Sequence, residues 1–430
     1  MLKNSLFENV MHINGFKISN ASKKLMYVKS LQLNEFKNWK EMKRWEIFNH
    51  HLKNNDFYNN FLNGKTFKDW EDIPIINKSN FQTNISNILS TGYNKKNVYI
   101  ANTSGSSGHP FFFAKNKSAH ALTWAYIKWR YENLGLSLNS LEARFYGIPL
   151  DFVSNIKEKI KDSVMKRVRF PVFDLSDEAM NKFIEKFENK NFSYIYGYAN
   201  SVIIFAKFIK KNNIDLLNIC PTLNSVIVSA EVCTSEDKEL IKDAFKVPVY
   251  NEYGSSEFGY IGYDDLNGGW RIADEMLYVE KNKEDGCILI TDLHNKVYPF
   301  IRFNIGDIGD LRTNNDQTTH LKSLQGRLND TIILPSGKKS PGLTFYYISR
   351  SILERSQNLK EFIIKQVDID KFIFEVVSDK DFNTTEINMI KKELELYLEP
   401  NLTFKINRVD KINRPKSGKM KHFFSYILDD

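Results

Sequence analysis

Leu31, Leu33, Phe36, Trp39, Met42, Trp45 and Phe48 recur at close to helical spacing within a charged background, which predicts a packed amphipathic helix. The same character makes residues 1 to about 95 a mostly helical lead-in. Trp70 to Asn77, with Pro74 among short apolar pieces, reads as a loop or an edge strand. From about 96 to 325 the period switches back and forth. Short β-branched or aromatic runs predict strands at Val98–Ile100, Ser193–Tyr196, Ser225–Val228, Val247–Tyr250 and Cys287–Thr291. Helical patterns fall between them at Ser118–Asn133, Ser176–Glu188, Ser201–Lys211 and Ser235–Phe245. Such alternation predicts an α/β domain with layered, substantially parallel sheet. Beyond Gly326 to Asp330 the rhythm changes again, to strands at Phe362–Gln366, Lys371–Val377 and Leu402–Val409 around a helix at Thr384–Tyr397. The expected division is therefore a large domain over residues 1–326 and a small α+β domain over 327–430.

Composition narrows the partners. With 430 residues, 42% hydrophobic and 26% charged, the chain is globular and long enough for two or three domains. The net charge of +8 would suit nucleic acid or an anionic ligand. Lys and Arg nevertheless alternate with Asp and Glu along most segments, and the longest basic cluster, Lys161 to Arg169, is interrupted by Asp162. A mixed solvated surface is expected, without nucleic-acid binding. The three cysteines, Cys220, Cys233 and Cys287, show neither a disulfide framework nor zinc-ligand spacing. Met1 to Phe16 lacks the pattern of a signal peptide, and no apolar run reaches about 18 residues, so no transmembrane segment is expected. A cytoplasmic protein is the expectation.

Five short patterns carry candidate chemistry. Thr103-Ser104-Gly105-Ser106-Ser107-Gly108 follows a strand and offers hydroxyls and close backbone approach to phosphate, without the Gly-Lys ending of a Walker loop. Asn251-Glu252-Tyr253-Gly254-Ser255-Ser256-Glu257 stands directly after the strand Val247–Tyr250, in a loop where α/β sheets bind ligands; it supplies an aromatic face, hydroxyls and, in Glu257, a hard oxygen for Mg²⁺. In Tyr298 to Asp307, Gly306 permits a tight turn and Asp307 can accept from two ribose hydroxyls. Gly326-Arg327-Leu328-Asn329-Asp330 marks the domain junction, and Arg414 to Lys419 presents a lysine near the C-terminus. Each alone is as consistent with an ordinary turn or a solvated loop. Their common order along one chain is what argues for a shared site.

Together these residues resemble the adenylate-forming superfamily of acyl-CoA synthetases, luciferases and peptide-synthetase adenylation domains. Within it they are most similar to the phenylacetate–CoA ligase-like branch, including CapK-type proteins of capsular polysaccharide synthesis. Asn55-Asp56-Phe57-Tyr58 and Ile73 to Lys78 fit that branch as well. The resemblance implies ATP-dependent, AMP-forming activation of a carboxylic acid, followed by transfer to an acceptor. Coenzyme A is the default acceptor, an amine or sugar hydroxyl the alternative, and a catalytically silent nucleotide-binding scaffold the third possibility. It also implies residue roles: Thr103 to Gly108 on the ATP phosphates, Ser229-Ala230-Glu231 beside adenine, and Tyr253 stacked on the base. Ser256 would touch the α-phosphate, Glu257 Mg²⁺, Asp307 the ribose, Arg327 ribose or phosphate, and Lys419 the α-phosphate and carboxylate. The small domain would rotate about Asn329 or Asp330. Tyr146, Tyr196 and Tyr198 are candidates for the acyl pocket, although with 32 Phe and 20 Tyr in the chain they serve equally well as core. Two positions depart from the superfamily's pattern: Phe111 stands where a lysine commonly follows the loop proline, and Asn329 where the hinge acid is usual. The expected partners are a small-molecule acid and its acceptor, with a homodimer left open.

Overall fold

The computed structural model describes the chain apart from residues 1–4, 82, 103–110, 148–151, 173–174, 266–268, 328–330, 338, 342–343, 345–358, 413–422 and 428–430. The lead-in is helical through α1 (Leu6–Ile13), α2 (Ile18–Ser30), α3 (Leu33–Asn54) and α4 (Asp56–Phe61). Trp70–Asp72 forms a single 3-10 turn, and Ile76 then bridges in parallel to Phe303. Buried ion pairs hold these helices in place. Lys29 of α2 lies 2.6 Å from Glu275, and Lys40 of α3 lies 3.1 Å from Asp274, which also accepts from the backbone and hydroxyl of Thr319 at 2.6 and 2.7 Å.

The centre is an 11-stranded sheet. Its parallel part comprises β3 (Glu142–Phe145), β4 (Arg167–Phe170), β5 (Tyr194–Tyr198), β6 (Ser225–Ser229) and β7 (Val249–Ser255), in the order β7-β6-β5-β3-β4. The linking helices are α6 (Phe152–Val164), α7 (Asp177–Glu188), α8 (Ala199–Lys211), α9 (Leu216–Ile219) and α10 (Ser235–Phe245). α10 matches its expected span because Thr234 and Asp237 form a reciprocal cap at its N-terminus. β6 is buried along its whole length: Val226 and Val228 face the α7–α10 layer, while Ile227 faces α5 (Lys117–Asn133). Burial on both faces explains its unbroken apolar run.

From β7 outward the sheet is antiparallel, through β8 (Gly259–Asp264), β9 (Trp270–Ile272), β13 (Thr319–Arg327), β12 (Phe303–Thr313), β11 (Cys287–Asp292) and β10 (Leu277–Lys281). The expectation of a substantially parallel sheet therefore holds for one half only. The reversal comes at the three-residue turn Ser256–Phe258, too short for the crossover a parallel pairing requires. A separate hairpin, β1 (Val98–Asn102) with β2 (Phe112–Asn116), flanks residues 103–110.

At the C-terminal end, β14 (Thr331–Ile333) pairs with β15 (Lys339–Pro341). Next, β16 (Leu359–Asp368), β17 (Lys371–Ser378), β18 (Thr403–Arg408) and β19 (Phe423–Ser425) build a four-stranded sheet packed on α11 (Thr384–Tyr397). Phe372, Phe374 and Val376 alternate inward along β17 and meet Ile390 and Leu394 of α11. No described helix is long and apolar enough to cross a membrane.

Two outcomes test this packing. Lys40→Met strands a buried carboxylate at Asp274 and is expected to cost about 3–5 kcal/mol in urea unfolding. A loss below about 1 kcal/mol, the scale of an exposed pair, would mean that the clamp is dispensable. In Gly254→Ala, the added Cβ meets the Gly259 carbonyl oxygen at 2.2 Å, so the β7–β8 pairing must shift. A destabilisation of about 1–3 kcal/mol is expected in the same assay.

Candidate active site

The parallel strands run outward in opposite directions from the β3/β5 boundary, β3 to β4 on one side and β5 to β6 to β7 on the other. At such a switch point the connections leave opposite faces and open a crevice beyond the carboxyl ends of the strands. Tyr146, immediately after β3, and Tyr198, the last residue of β5, meet there with ring centroids 4.0 Å apart. Tyr196 stacks on Tyr146 at 5.8 Å, and the Arg144 guanidinium covers the Tyr146 ring at 4.3 Å. The three candidate tyrosines thus form one wall.

The next carboxyl end belongs to β6. The Ser229 hydroxyl donates to the Glu252 carbonyl at 2.9 Å, tying β6 to β7. Ala230 turns the chain with φ of 68°, in the left-handed region. Glu231 accepts from the Asn200 N–H at 2.9 Å. Its carboxylate sits on the N-terminal turn of α8, where free N–H groups and the helix dipole favour negative charge. Glu231 therefore braces the turn from behind.

The sequence expectation ended a strand at Tyr250, with a loop following. β7 instead continues through Ser255, so Tyr253 and Gly254 are strand residues and only Ser256, Glu257 and Phe258 form the turn. The extension survives because Gly254 lets the Gly259 carbonyl approach closely and a register shift at this point absorbs the bend. Tyr253 then reaches across the sheet: its hydroxyl donates to Asp307 Oδ2 at 2.6 Å. Asp307 is likewise no hairpin residue. It lies within β12, where the five residues Asn304 to Ile308 span the interval that three, Cys287 to Leu289, cover on β11, and Gly306 takes φ of 81°. The resulting bulge presents Asp307 toward Tyr253. Arg327, at the end of β13, is in backbone register with Asp307.

The hairpin β1–β2 is joined to the same turn. Lys115 Nζ donates to the Phe258 carbonyl at 3.1 Å and lies 3.4 Å from Asp292. Phe111 packs against Phe303, ring centroids 6.3 Å apart and nearly parallel, so an aromatic cluster occupies the place of the superfamily's usual lysine. Thr103 to Gly108, Asn329, Asp330 and Lys419 lie outside the described residues. Among the described residues no cluster of three or more His, Cys, Asp or Glu could hold a metal. Glu257 lies in the turn between β7 and β8 and is partly exposed.

Sequence reasoning missed the charged side chains on the inner face. Glu142 is buried and accepts from Arg144, Arg167 and the Tyr194 hydroxyl at 2.5, 3.1 and 2.8 Å. Burial opposes its ionisation, but Arg167 and Arg144 hold its carboxyl below the usual range. Glu252, one residue before Tyr253, is also buried. Burial pushes it up to about 8, against the pull of Arg130. Both lie outside the strands expected from sequence, Glu252 in the stretch Asn251 to Glu257 and Glu142 in no expected element, so no local signal marked them as buried.

Known proteins resemble this chain in sequence and in fold. Residues 339–425 match the family model of the CapK C-terminal domain. Over 404 residues the chain is 26% identical to protein CapK of Staphylococcus aureus, covering 89% of this chain and 87% of that one. Its fold is similar to that of a 2-hydroxyisobutyryl-CoA ligase in the postadenylation state, with TM-score 0.68, 14% identity and coverage of 92% and 90%. An anthranilate CoA ligase bound to anthranoyl-AMP gives TM-score 0.51 and 13% identity over 75% of this chain and 64% of that one. The chain thus resembles CapK over most of its length, matches the CapK C-terminal domain over residues 339–425, and shares the fold of these CoA ligases.

Proposed function

We propose that the protein is an AMP-forming ligase that activates a carboxylic acid with ATP and passes the acyl group to an acceptor. The observation carrying this reading is the 2.6 Å hydrogen bond from Tyr253 to Asp307, which joins two motifs 54 residues apart at the carboxyl edge of the sheet. In this reading Tyr253 offers its ring to adenine, and Asp307 accepts from ribose hydroxyls while held by the Tyr253 phenol. Residues Thr103 to Gly108 would contact the phosphates, and the hairpin strands that flank them in sequence are tied by Lys115 to the Phe258 carbonyl. Glu257 would hold Mg²⁺, which supplies charge neutralisation at the phosphates.

A substrate carboxylate oxygen attacks the α-phosphorus, the bond to the β-phosphate breaks, and pyrophosphate leaves. The acceptor nucleophile then attacks the acyl carbon and AMP departs. No covalent enzyme intermediate is needed, so the protein contributes alignment and electrostatic stabilisation. Lys419 would deliver positive charge to the first step. A division at residues 326 and 327, with rotation about Asn329 or Asp330, would remove it for the second. Supporting the superfamily reading, the structurally similar CoA ligases were captured with an acyl-adenylate bound. Coenzyme A, bound by the hydroxyisobutyryl ligase in a thioesterification state, is the first acceptor to test. The similarity to CapK favours a second reading of the transfer step, in which an amine or hydroxyl of a sugar takes the acyl group during capsule assembly. ATP and coenzyme A point to the cytoplasm, and to small-molecule partners in place of nucleic acid.

The decisive assay is pyrophosphate release across aryl, fatty, amino and sugar acids, with and without coenzyme A, followed by identification of the acylated product. Absence of acid-dependent pyrophosphate release throughout would defeat the ligase reading. Lys419→Ala is expected to lower ATP–pyrophosphate exchange about 10²–10³-fold, while transfer from a preformed acyl-adenylate stays within about threefold. Equal loss in both steps contradicts that division of labour. Tyr253→Phe removes the bond to Asp307 and should raise the KM for ATP about tenfold, with the KM for the acid nearly unchanged.

A further inference from the structure

On the sheet face opposite the α7–α10 layer, α1 and α5 roof a cavity of about 230 Å³ over β3, β5, β7 and β8. The roof is apolar, with Trp124 and Ile127 of α5 and Leu138 beyond it. The floor is polar, and its groups fall into two sets. Glu142 is fully engaged by Arg144, Arg167 and Tyr194. Glu252 and Tyr260 are not. Glu252 Oε1 and the Tyr260 hydroxyl make no hydrogen bond of ordinary geometry, although the two residues are only 6% and 4% exposed and the Tyr196 and Tyr260 hydroxyls lie near enough to steady the Glu252 carboxyl. Leaving each such atom unpaired costs about 1–3 kcal/mol, so the pair on adjacent strands marks where a ligand's polar group belongs.

The position of the cavity connects it to the acid. Tyr196 lines it and stacks on Tyr146, so the chamber begins behind the tyrosine wall of the crevice. Glu252 is the residue before Tyr253, with its carbonyl fixed by Ser229. We propose that this cavity receives the far end of the substrate acid and selects one bearing an ammonium or hydroxyl donor on an apolar stem. This rests on the ligase reading above and names its substrate class. The stem packs under Trp124 and Ile127, and the donor satisfies Glu252 Oε1 and Tyr260. A hydrocarbon end of the same length leaves both stranded and is rejected, because a site built to hydrogen-bond discriminates strongly against an analogue lacking the group. A second carboxylate would meet the Glu252 carboxyl and gain little from arginines already committed to Glu142.

The pH dependence separates the two donors. Facing Glu252 are Arg130 and Tyr131 from α5, Tyr196 from β5, Tyr260 from β8, and Glu142 with Arg144 from β3, with Tyr146 nearby. In this setting burial raises the Glu252 carboxyl to about 8. It is protonated at neutral pH, and an ammonium must displace that proton to form an ion pair. Ammonium-acid affinity therefore rises with pH, approaching tenfold per unit until about pH 8, whereas a hydroxyl donor shows no such slope.

The test uses the full chain with straight-chain acids of four to eight carbons ending in ammonium, hydroxyl, methyl or carboxylate. Each acid is read by ATP–pyrophosphate exchange and, without ATP, by the shift in unfolding temperature. We expect a donor-ended acid to exceed its methyl-ended match at least about tenfold in kcat/KM. Glu252→Leu should erase that preference. Glu252→Gln, a near-isosteric control for folding, should retain hydroxy acids and lose ammonium acids together with their pH slope. A wild-type preference for methyl or carboxylate ends overturns the proposal, as does a donor preference unchanged in Glu252→Leu. Exchange with no acid, but donor-dependent thermal shifts lost in Glu252→Leu, supports the pocket and counts against the ligase reading. Neither response with any acid means that water alone fills the cavity, and the proposal falls.

Discussion

Strand β7 is the constraint on which the site depends. It pairs in parallel with β6 on one edge and antiparallel with β8 on the other, so it belongs to both halves of the sheet. Because side chains alternate along a strand, consecutive residues serve opposite faces. Glu252 faces the cavity under α5, and Tyr253 faces the other side, where Asp307 waits. A slip of one residue in β7 would exchange these roles and bury the wrong group on each face. Gly254 and the register shift beside it hold that register against the turn that follows.

Around this strand the chain spends its irregularities where ligands are expected. The bulge in β12, the left-handed Ala230 and the close approach at Gly254 all fall at one edge. Elsewhere, irregular backbone has a structural partner. Arg302, with φ of 46°, pairs with Glu280 at 3.0 Å and donates to the Glu71 and Ile73 carbonyls, fastening the lead-in to β12. Such conformations persist only where surrounding contacts over-determine them.

Buried charge has two distinct uses in this molecule. The pairs Lys29–Glu275 and Lys40–Asp274 dock helices onto the antiparallel half, with every oxygen of Asp274 engaged. The group around Glu142 is similarly closed. Glu252 differs in being buried beside an open volume with an unpaired oxygen. Glu275 also keeps one buried oxygen without a hydrogen bond, so the open volume beside Glu252 is what sets it apart from the structural carboxylates.

The sequence by itself determined the elements whose signals are local. α10 and α11 fall on their expected spans because caps and apolar period lie within the same short segment. The alternation of strand and helix announced the α/β class, and the ordered motifs pointed to adenylate-forming chemistry. Tertiary structure alone decided what depends on distant partners. It extended β7 past Tyr250 because β8 was there to pair with it, and it made Asp307 a bulge residue through mismatch with β11. It also turned Tyr146, Tyr196 and Tyr198, indistinguishable from core by composition, into one wall at a topological switch. Glu252 read as a loop residue after Tyr250, and only the pairing of β7 with β8 under α5 buried it, because local propensity encodes a residue's own backbone and says nothing of what lies across the sheet.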